Sequence, residues 1–321
     1  MSGARRYVVA RRWTGLGDCL VSLLAAHRYA KATGRTLLVD WRHSRYAAPG
    51  RNLFADLFGA PPVWDGVPTV ADQRVVGFDH PGPYRPGGWS AAALHRPPVD
   101  GERGDTRAAI DLILGGTDVA EPVVVFDGCI APAVPDLEVR RRLLSALRVR
   151  DDVLASVRSY ARERFAGRPV VGVHVRHGNG GNIGEHARYW TRPGEALLTI
   201  AGAARQAMDG LRQARGATPT AFLCTDSPDV ETAMRRLVPG LEVRPKSFRP
   251  SGAGELHLWA GAAAGLADAL TEMLLLAEVD VLVRYPPGSY FSVWGETMKR
   301  PAPADCRPPG GREGGSVPAI V

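Results

Sequence analysis

Short apolar runs alternate with longer amphipathic segments over most of this chain. Seven runs rich in Val and Leu predict buried strands: Tyr7–Ala10, Thr36–Asp40, Pro122–Asp127, Val170–Val175, Ala221–Cys224, Leu241–Val243 and Val279–Arg284. Helical spacing is found in Gly15–Thr33, Leu137–Phe165, Gly194–Arg215, a segment opened by Ser227 and Pro228, and Gly254–Glu278. This alternation predicts a doubly wound α/β protein with parallel sheets.

Local signals mark the ends of two of these helices. Gly34 stands where a left-handed residue ends the first helix, and Asp18 of the GLGD turn is suited to capping its start. Ser227 and Pro228 are the residue types favoured at an N-cap and in a first turn.

The pattern weakens between Arg42 and Glu121, where Pro, Gly and aromatic residues are frequent. The aromatic residues either cover the edge of the core or form a surface for a sugar acceptor: Trp41, Trp64, Tyr84 and Trp89. At 321 residues the chain has room for two domains of ordinary size. We expect an N-terminal Rossmann-like domain over 1–150, a C-terminal one over 151–300, and a flexible Pro/Gly-rich tail over 301–321.

The charge pattern argues against a nucleic-acid binder. The formal net charge is +7, but the basic residues are scattered and their longest run is Arg140–Arg142, whereas nucleic-acid binders cluster them on one face. The four cysteines show no metal-ligand spacing. Three of them, Cys19, Cys129 and Cys224, are interpreted as buried free thiols, which indicates a reducing compartment. No signal peptide and no apolar window of membrane-spanning length are present. These features predict a cytoplasmic protein without membrane insertion.

The strongest chemical signal is VVGVHVRHGNGG, residues 170–181. A valine-rich strand ends here in a loop that carries Arg176 and His177, and ligands of open α/β sheets bind beyond the carboxyl ends of the strands. Arginine presents a permanently charged planar fork, which indicates a phosphate ligand. The alternative is a solvated basic surface loop.

Polar residues follow two further predicted strands, in Thr225–Ser227 and Arg284–Ser289. In one parallel sheet these segments meet His174–His177 at one edge, as a nucleotide-sugar pocket requires. Arg176 would then neutralise the departing diphosphate, because no acidic pair stands at a strand end to hold a metal. Glu272, in the last long helix, is either an acceptor for two N–H groups of guanine or a half-exposed helix residue.

Sugar transfer also needs a base to deprotonate the acceptor hydroxyl. Glu185, His186 and His177 are the candidates in and beside the glycine loop. A nicotinamide-dependent oxidoreductase using the GLGD turn is the weaker reading of the first βαβ unit. That turn lacks the third glycine of GxGxxG, and Asp18 would repel a phosphate there.

Several segments in the same order resemble one known family. They are Gly15–Arg42, Asn52–Phe58, HVRHGN at 174–179, RYW at 188–190, FLCTDS at 222–227 and Ala269–Ser289. The chain resembles the nodulation-factor α1,6-fucosyltransferases, which are related to core α1,6-fucosyltransferases and peptide O-fucosyltransferases. The resemblance implies a GT-B fold, two Rossmann-like domains facing a central cleft, with the acceptor on the N-terminal side and the donor on the C-terminal side. It also implies inverting, metal-independent transfer from GDP-fucose with no further cofactor.

The resemblance also assigns residues. Arg176 takes the position of the arginine on the donor diphosphate, with His177 beside it. Guanine contacts and other donor-pocket positions fall on His174, Glu272, Asp226 and Ser289, next to Thr225 from the strand-end pattern. Glu185 lies near the catalytic glutamate of the family, but GGN at 180–182 stands where the closest relatives carry acidic residues.

Two alternatives share this fold. The protein transfers a different hexose from a GDP-sugar, or it binds a nucleotide sugar or carbohydrate without catalysis. In each case the partners are a nucleotide-sugar donor and an oligosaccharide or glycosylated small molecule, and the acceptor residues stay unassigned.

Overall fold

The computed structural model describes residues 5–43, 50–97, 106–128, 130–179, 184–254 and 265–299. The chain divides into two compact units, Met1–Asp151 and Asp152–Val321. The predicted tail over 301–321 lies outside the described residues, as do Cys129 and Cys306.

The first unit is built on a mainly parallel sheet. Its strands are β1 (Tyr7–Arg11), β2 (Thr36–Asp40), β3 (Phe58–Gly59), β4 (Val63–Trp64), β5 (Val67–Val70), β6 (Tyr84–Arg85), β7 (Val123–Phe126) and β8 (Arg148–Val149). Its helices are α1 (Leu16–Thr33), α2 (Leu53–Leu57), α3 (Ala91–His95), α4 (Thr106–Gly115) and α5 (Leu137–Ser145). Six described strands follow the order β4-β5-β2-β1-β7-β6, antiparallel only between β4 and β5, and β3 pairs with β8.

Helix α1 ends as the sequence predicts but begins differently. Gly34 adopts φ +68° and its N–H reaches the carbonyl of Ala30, which closes the helix in the left-handed conformation. The N-cap is Gly15, without a side-chain hydrogen bond, so the expected cap by Asp18 is wrong. Asp18 lies in the first turn, where it accepts a hydrogen bond from Thr14 at 3.1 Å and suits the positive end of the helix dipole.

The second unit carries a four-stranded, fully parallel sheet. Its elements are α6 (Asp151–Tyr160), β9 (Val170–Val175), α7 (Pro193–Arg215), β10 (Thr220–Thr225), α8 (Pro228–Leu237), β11 (Glu242–Val243), α9 (Gly265–Ala277), β12 (Val281–Tyr285) and α10 (Tyr290–Met298). The strand order is β11-β10-β9-β12, so the two fully buried strands, β10 and β9, are the inner pair. Apolar clusters pack on both faces of this sheet. Because both faces are covered, the strand sequences are continuous hydrophobic runs instead of alternating patterns.

Two glycines permit close packing on one face of this sheet. A Cβ on Gly172 in β9 would meet Val279 Cγ2 at 2.9 Å, and one on Gly295 in α10 would meet Leu276 Cβ at 3.0 Å. The absence of a side chain at these two positions therefore lets α9 pack against both β9 and α10.

One predicted helix is wrong, and of the two alternatives for the aromatic residues, three of the four follow the first and pack in the core. Leu137–Phe165 is α5, the short strand β8, α6 and a π-helical turn rather than one helix. Trp41 and Trp64 are fully buried, and Tyr84 is 6% exposed, because they pack in the core. Trp89 alone of the four is half-buried, with the Arg11 guanidinium 4.9 Å from the centre of its ring.

Two of the four cysteines lie among the described residues. Cys19 and Cys224 are buried free thiols, and burial raises the pKa of each. Among the described helices none has both the length and the apolar character to cross a bilayer.

Candidate functional site

Parallel pairing in the second unit brings three strand ends to one edge. In the β9 register, Val175 lies opposite Thr225 of β10 on one side and Tyr285 of β12 on the other. The residues that follow each strand therefore share this edge, where ligands of α/β sheets bind. Arg176 and Asp226 are the first charged residues beyond the two strand ends.

Asp226 holds the loop after β9 in place. Its carboxylate pairs with the Arg176 guanidinium and accepts the backbone N–H groups of His177 at 2.8 Å and Gly178 at 2.9 Å. Burial alone would raise the pKa of Asp226, but Arg176 and the two N–H groups outweigh it and lower that pKa. Asp226 is therefore a buried, ionised clamp on the arginine loop.

The backbone of Arg176 is fixed from two directions. Its N–H donates to the carbonyl of Tyr285 at 2.8 Å, and its carbonyl accepts from the indole N–H of Trp190 at 3.1 Å. The side chain is 25% exposed. The backbone of Arg176 is thus held by β12 and by the 3-10 helix Gly184–Trp190, and its guanidinium by Asp226.

The turn continues through Gly178 and Asn179, which have φ of +75° and +50°. Asn179 is buried, and its side-chain amide donates to the carbonyls of Pro250 at 2.9 Å and Gly254 at 3.2 Å. Asparagine tolerates the left-handed conformation because its short side chain bonds locally. The loop after β9 is therefore tied to the segment that follows β11.

His177 packs edge-on against Trp190, with ring centres 4.6 Å apart. Partial burial lowers its pKa, so the imidazole is more often neutral at physiological pH than a free histidine. Its Nδ1 is buried and has no hydrogen-bond partner within the described ranges. A neutral ring of this kind is able to accept a proton.

His174 lies in β9 with its ring stacked on Phe291, at a centroid distance of 5.1 Å. Burial lowers its pKa to about 3, so the ring is neutral. Its buried Nδ1 has no hydrogen-bond partner in the part of the chain that the structure describes. Such an atom normally has a partner, which makes His174 a candidate ligand contact.

Glu272 is buried rather than half-exposed, and it pairs with Lys246. The Lys246 ammonium bonds both carboxylate oxygens, at 2.7 and 2.8 Å. Burial raises the pKa of Glu272, against the opposing effect of Lys246. Cys224 of β10 directs its thiol at the Glu272 carbonyl, 3.9 Å away, which places the pair on the His174 face of the sheet.

The remaining two candidates make local contacts. The Thr225 hydroxyl accepts the backbone N–H of Ser227 at 3.3 Å, and Ser227 in turn caps α8 as the sequence predicts. Ser289 is buried at the N-cap of α10, and its side chain makes no capping bond. Ser289 follows β12 by four residues and so stands beyond the same strand end.

The structure therefore groups the sequence candidates in two clusters. Arg176, His177 and Asp226 form one, and His174 and Glu272 lie on one face of the sheet. The side chains of Glu185 and His186 lie outside the described residues. Among the described residues there is no cluster of His, Cys, Asp or Glu that could hold a metal.

Sequence reasoning missed three residues that shape these clusters: Lys246, Phe291 and Trp190. Trp190 had a signal, since it belongs to the RYW motif. Lys246 and Phe291 had none, because each stands alone outside any motif and acts through a contact distant in sequence.

A family profile described as Nodulation protein Z (NodZ) matches residues 4–304 of the chain. The chain is similar to Nodulation protein Z of Sinorhizobium fredii, with 39% identity over 296 residues and 89% of each chain covered. It is 40% identical over 295 residues to Nodulation protein Z of Bradyrhizobium diazoefficiens, covering 89% of this chain and 77% of that protein.

Solved structures agree. The NodZ α-1,6-fucosyltransferase co-crystallised with GDP superposes with a TM-score of 0.72 at 30% identity, covering 91% of this chain and 92% of that one. NodZ α-1,6-fucosyltransferase soaked with GDP-fucose superposes with a TM-score of 0.68 at 30% identity, covering 92% of this chain and 93% of that one. POFUT1 in complex with GDP superposes with a TM-score of 0.52 at 14% identity and so shares the fold. The GT-B fold class expected from the sequence is confirmed.

Proposed function

The chain belongs to the nodulation protein Z family, and from that premise we propose that it is a GDP-fucose-dependent fucosyltransferase. It moves a fucosyl group to a hydroxyl of an oligosaccharide or a glycosylated small molecule. Family members have been crystallised with GDP and soaked with GDP-fucose. The observation that carries the proposal is the Arg176 guanidinium, held by Asp226 at the carboxyl edge of the second sheet.

Arg176 binds the donor diphosphate in this proposal. A guanidinium has five N–H donors in a planar fork, and the ion pair with Asp226 orients that fork. Negative charge grows on the diphosphate as the glycosidic bond breaks, and a fixed cation stabilises that charge most in the transition state. The same argument supports transfer without a metal.

The nucleoside binds on the His174 face of the sheet. Glu272 accepts two N–H groups of the guanine edge, and the neutral His174 ring offers a further hydrogen bond. Asp226 positions the arginine loop, and Thr225 and Ser289 line the donor side beyond β10 and β12. We therefore assign the donor to the second unit and the acceptor to the first.

The acceptor hydroxyl loses its proton to a base as it attacks the anomeric carbon from the side opposite the diphosphate, which inverts the configuration. We propose Glu185 as that base. His177 and His186 are the alternatives; His177 is supported by its lowered pKa and by an Nδ1 that has no hydrogen-bond partner among the described residues.

Buried free thiols at Cys19 and Cys224 suit the reducing cytoplasm as the place of the reaction.

Substituting Arg176→Lys tests the proposal, with Arg192→Lys as the matched control. Arg192 is 76% exposed and pairs only with Glu195 among the contacts described. Lysine keeps the charge but loses the fork, so we expect GDP release from GDP-fucose, in the presence of a panel of oligosaccharide acceptors, to fall by about 100-fold. Near-normal turnover by Arg176→Lys would remove the guanidinium from the reaction.

The same assay separates the alternatives. Products are identified by mass spectrometry with GDP-fucose, GDP-mannose and UDP-sugars as donors. Faster transfer from GDP-mannose would identify a different hexose, and donor binding without transfer to any acceptor would indicate a binding protein.

A further inference from the structure

Three aromatic side chains form a cluster beside the loop after β9: Tyr189, Trp190 and Tyr285. The ring of Trp190 lies edge-on against Tyr285, with centres 5.2 Å apart, and also against His177 of the loop. Tyr189 lies edge-on against Tyr285 at 5.7 Å. Trp190 is 5% exposed, and both tyrosines pack against the apolar core. Phenylalanine would supply much of this apolar contact, so packing does not account for the indole N–H and the phenol hydroxyl.

Both polar atoms are used on the backbone that holds Arg176. The indole N–H of Trp190 donates to the Arg176 carbonyl at 3.1 Å. The hydroxyl of Tyr285 donates at 2.7 Å to the carbonyl of Tyr189, which directly precedes Trp190. The N–H of Arg176 donates to the Tyr285 carbonyl at 2.8 Å. These three bonds close a ring that runs from Arg176 through Tyr285 and the Tyr189–Trp190 pair back to Arg176.

The ring joins segments that are far apart in the sequence. Tyr285 ends β12, Arg176 follows β9, and Trp190 ends the 3-10 helix Gly184–Trp190. The bond from the Arg176 N–H continues the pairing of β9 with β12, whereas the other two bonds come from side chains. Burial raises the pKa of Tyr285, so its hydroxyl stays protonated and remains a donor. The place of the Arg176 main chain beyond the sheet therefore depends on two side chains.

We propose that Trp190 and Tyr285 are positioning residues, which set the backbone of Arg176 so that its guanidinium meets the departing diphosphate in the transition state. This inference rests on the proposed function, because it concerns the residue that the proposal places on the diphosphate. A cation that is fixed in advance stabilises developing charge better than one that must first move into place. The two side chains act through Arg176 and do not touch the donor.

The experiment compares Trp190→Phe with the wild-type chain by steady-state kinetics of GDP release from GDP-fucose and by calorimetry of GDP binding. Phenylalanine keeps an aromatic ring and removes the N–H donor. We expect kcat to fall by about tenfold, because a displaced guanidinium loses charge stabilisation mainly in the transition state. The KM for GDP-fucose and the dissociation constant of GDP should change by less than about twofold.

Trp64→Phe is the matched control for the loss of a buried indole N–H. Trp64 is fully buried, and its indole donates to the main-chain carbonyl of Leu143 at 3.0 Å. It belongs to the first unit, which carries no part of the hydrogen-bonded ring. Both variants lose one buried hydrogen bond and should unfold at a lower temperature, but only Trp190→Phe should lose turnover. Equal kcat for the two variants would show that the Trp190 bond serves stability alone, which overturns the inference.

A double variant separates an effect through Arg176 from a direct one. In an Arg176→Lys background the fork that the ring aligns is absent, so adding Trp190→Phe should change kcat by less than about twofold. A further fall of about tenfold in that background would mean that Trp190 acts independently of Arg176, contrary to the inference.

Tyr285→Phe decides the question where Trp190→Phe does not fold. It removes one oxygen and its bond to the Tyr189 carbonyl, and we expect kcat to fall by about threefold with KM unchanged. Normal kcat in folded Tyr285→Phe overturns the inference, whereas turnover by the wild-type chain and its loss in Arg176→Lys leave the proposed function standing. Absence of turnover of GDP-fucose by the wild-type chain removes the proposed function and this inference together.

Discussion

Asp226 shows how one carboxylate sets the shape of a binding loop. It combines an ion pair with Arg176 and two backbone hydrogen bonds in a buried place. Each contact favours the ionised form, so folding and ionisation of Asp226 are linked.

Replacing Asp226 with Asn should therefore change the acid limb of the stability curve. The folded pKa lies below the ordinary value of 3.8, so this contribution is complete above that value and is lost as pH falls through the folded pKa. At pH 7 we expect Asp226→Asn to unfold in urea with about 2 kcal/mol less free energy. The difference from wild type should shrink below pH 4; a constant difference down to pH 2.5 would contradict the linkage.

His174 also loses its contribution to stability as pH falls, but over a higher pH range than Asp226. A histidine with a folded pKa of about 3 stays neutral in the fold but binds a proton in the unfolded chain below pH 6.5, so stability is lost as pH falls from 6.5 toward 3. We expect His174→Phe to flatten the loss between pH 7 and 5 by about 2 kcal/mol, at 1.4 kcal/mol per pH unit. Equal slopes for variant and wild type in urea unfolding would contradict this.

Arg176 and Asp226 show how much of a site can be predicted from a sequence. Arg176 and Asp226 were identifiable because each follows a strand-like run, and parallel strands end at one edge. The ion pair between them could not be predicted, since it depends on the register of β9 with β10. The contact of Lys246 could not be predicted for the same reason, because its partner in the ion pair, Glu272, lies 26 positions away in the sequence.

At the level of elements, the long apolar runs predicted strands correctly, whereas of the two-residue strands only β11, within Leu241–Val243, was predicted. Thr36–Asp40 and Val170–Val175 occur as predicted, because each contains four β-branched or leucine residues, which favour a buried strand. The strands β3, β4, β6, β8 and β11 contain two residues each, too few to show a period. Leu137–Phe165 was misread because β8 interrupts two amphipathic helices, and its pairing with β3 is a distant contact.

Gly172 supplies a test of how closely α9 packs on β9. A methyl group at this position lies 2.9 Å from Val279 and 3.2 Å from Leu276, so one of these side chains must move. We expect Gly172→Ala to lower the free energy of unfolding by about 1–3 kcal/mol, as for other overpacked cores. Thermal unfolding measures the change.

Gly202→Ala is the matched control within the same unit. Gly202 lies in α7 and has open space around an added Cβ, so alanine should raise stability by about 0.5–1 kcal/mol through helix propensity. Equal effects of the two substitutions would show that packing at Gly172 is not tight.

For the whole molecule, the α/β class was predictable because strand and helix patterns alternate over most of the chain, and the GT-B fold was implied by the family resemblance. The roles of the two units, donor binding by the second and acceptor binding by the first, were also implied by that resemblance and stay predictions, because a Rossmann-like sheet is common to many functions. Those roles depend on which side chains stand at each strand edge.

Donor binding gives a prediction at this scale. A ligand bound only by the folded state stabilises it by mass action, by about 2.7 kcal/mol at one hundred times its dissociation constant. We expect GDP-fucose to raise the thermal unfolding midpoint of the protein, and UDP-sugars at the same concentration to leave it unchanged. A larger shift with UDP-sugars would rule out guanine recognition by Glu272.

The indole N–H of Trp190 reaches back to the carbonyl of Arg176 and so joins the last residue of the Gly184–Trp190 helix to the arginine loop. That short helix also carries Glu185. In the proposed mechanism Glu185 activates the incoming hydroxyl and Arg176 binds the departing diphosphate, so the Trp190 hydrogen bond would link the segment of the base to the cation that stabilises the leaving group. Loss of that bond would then displace both groups together.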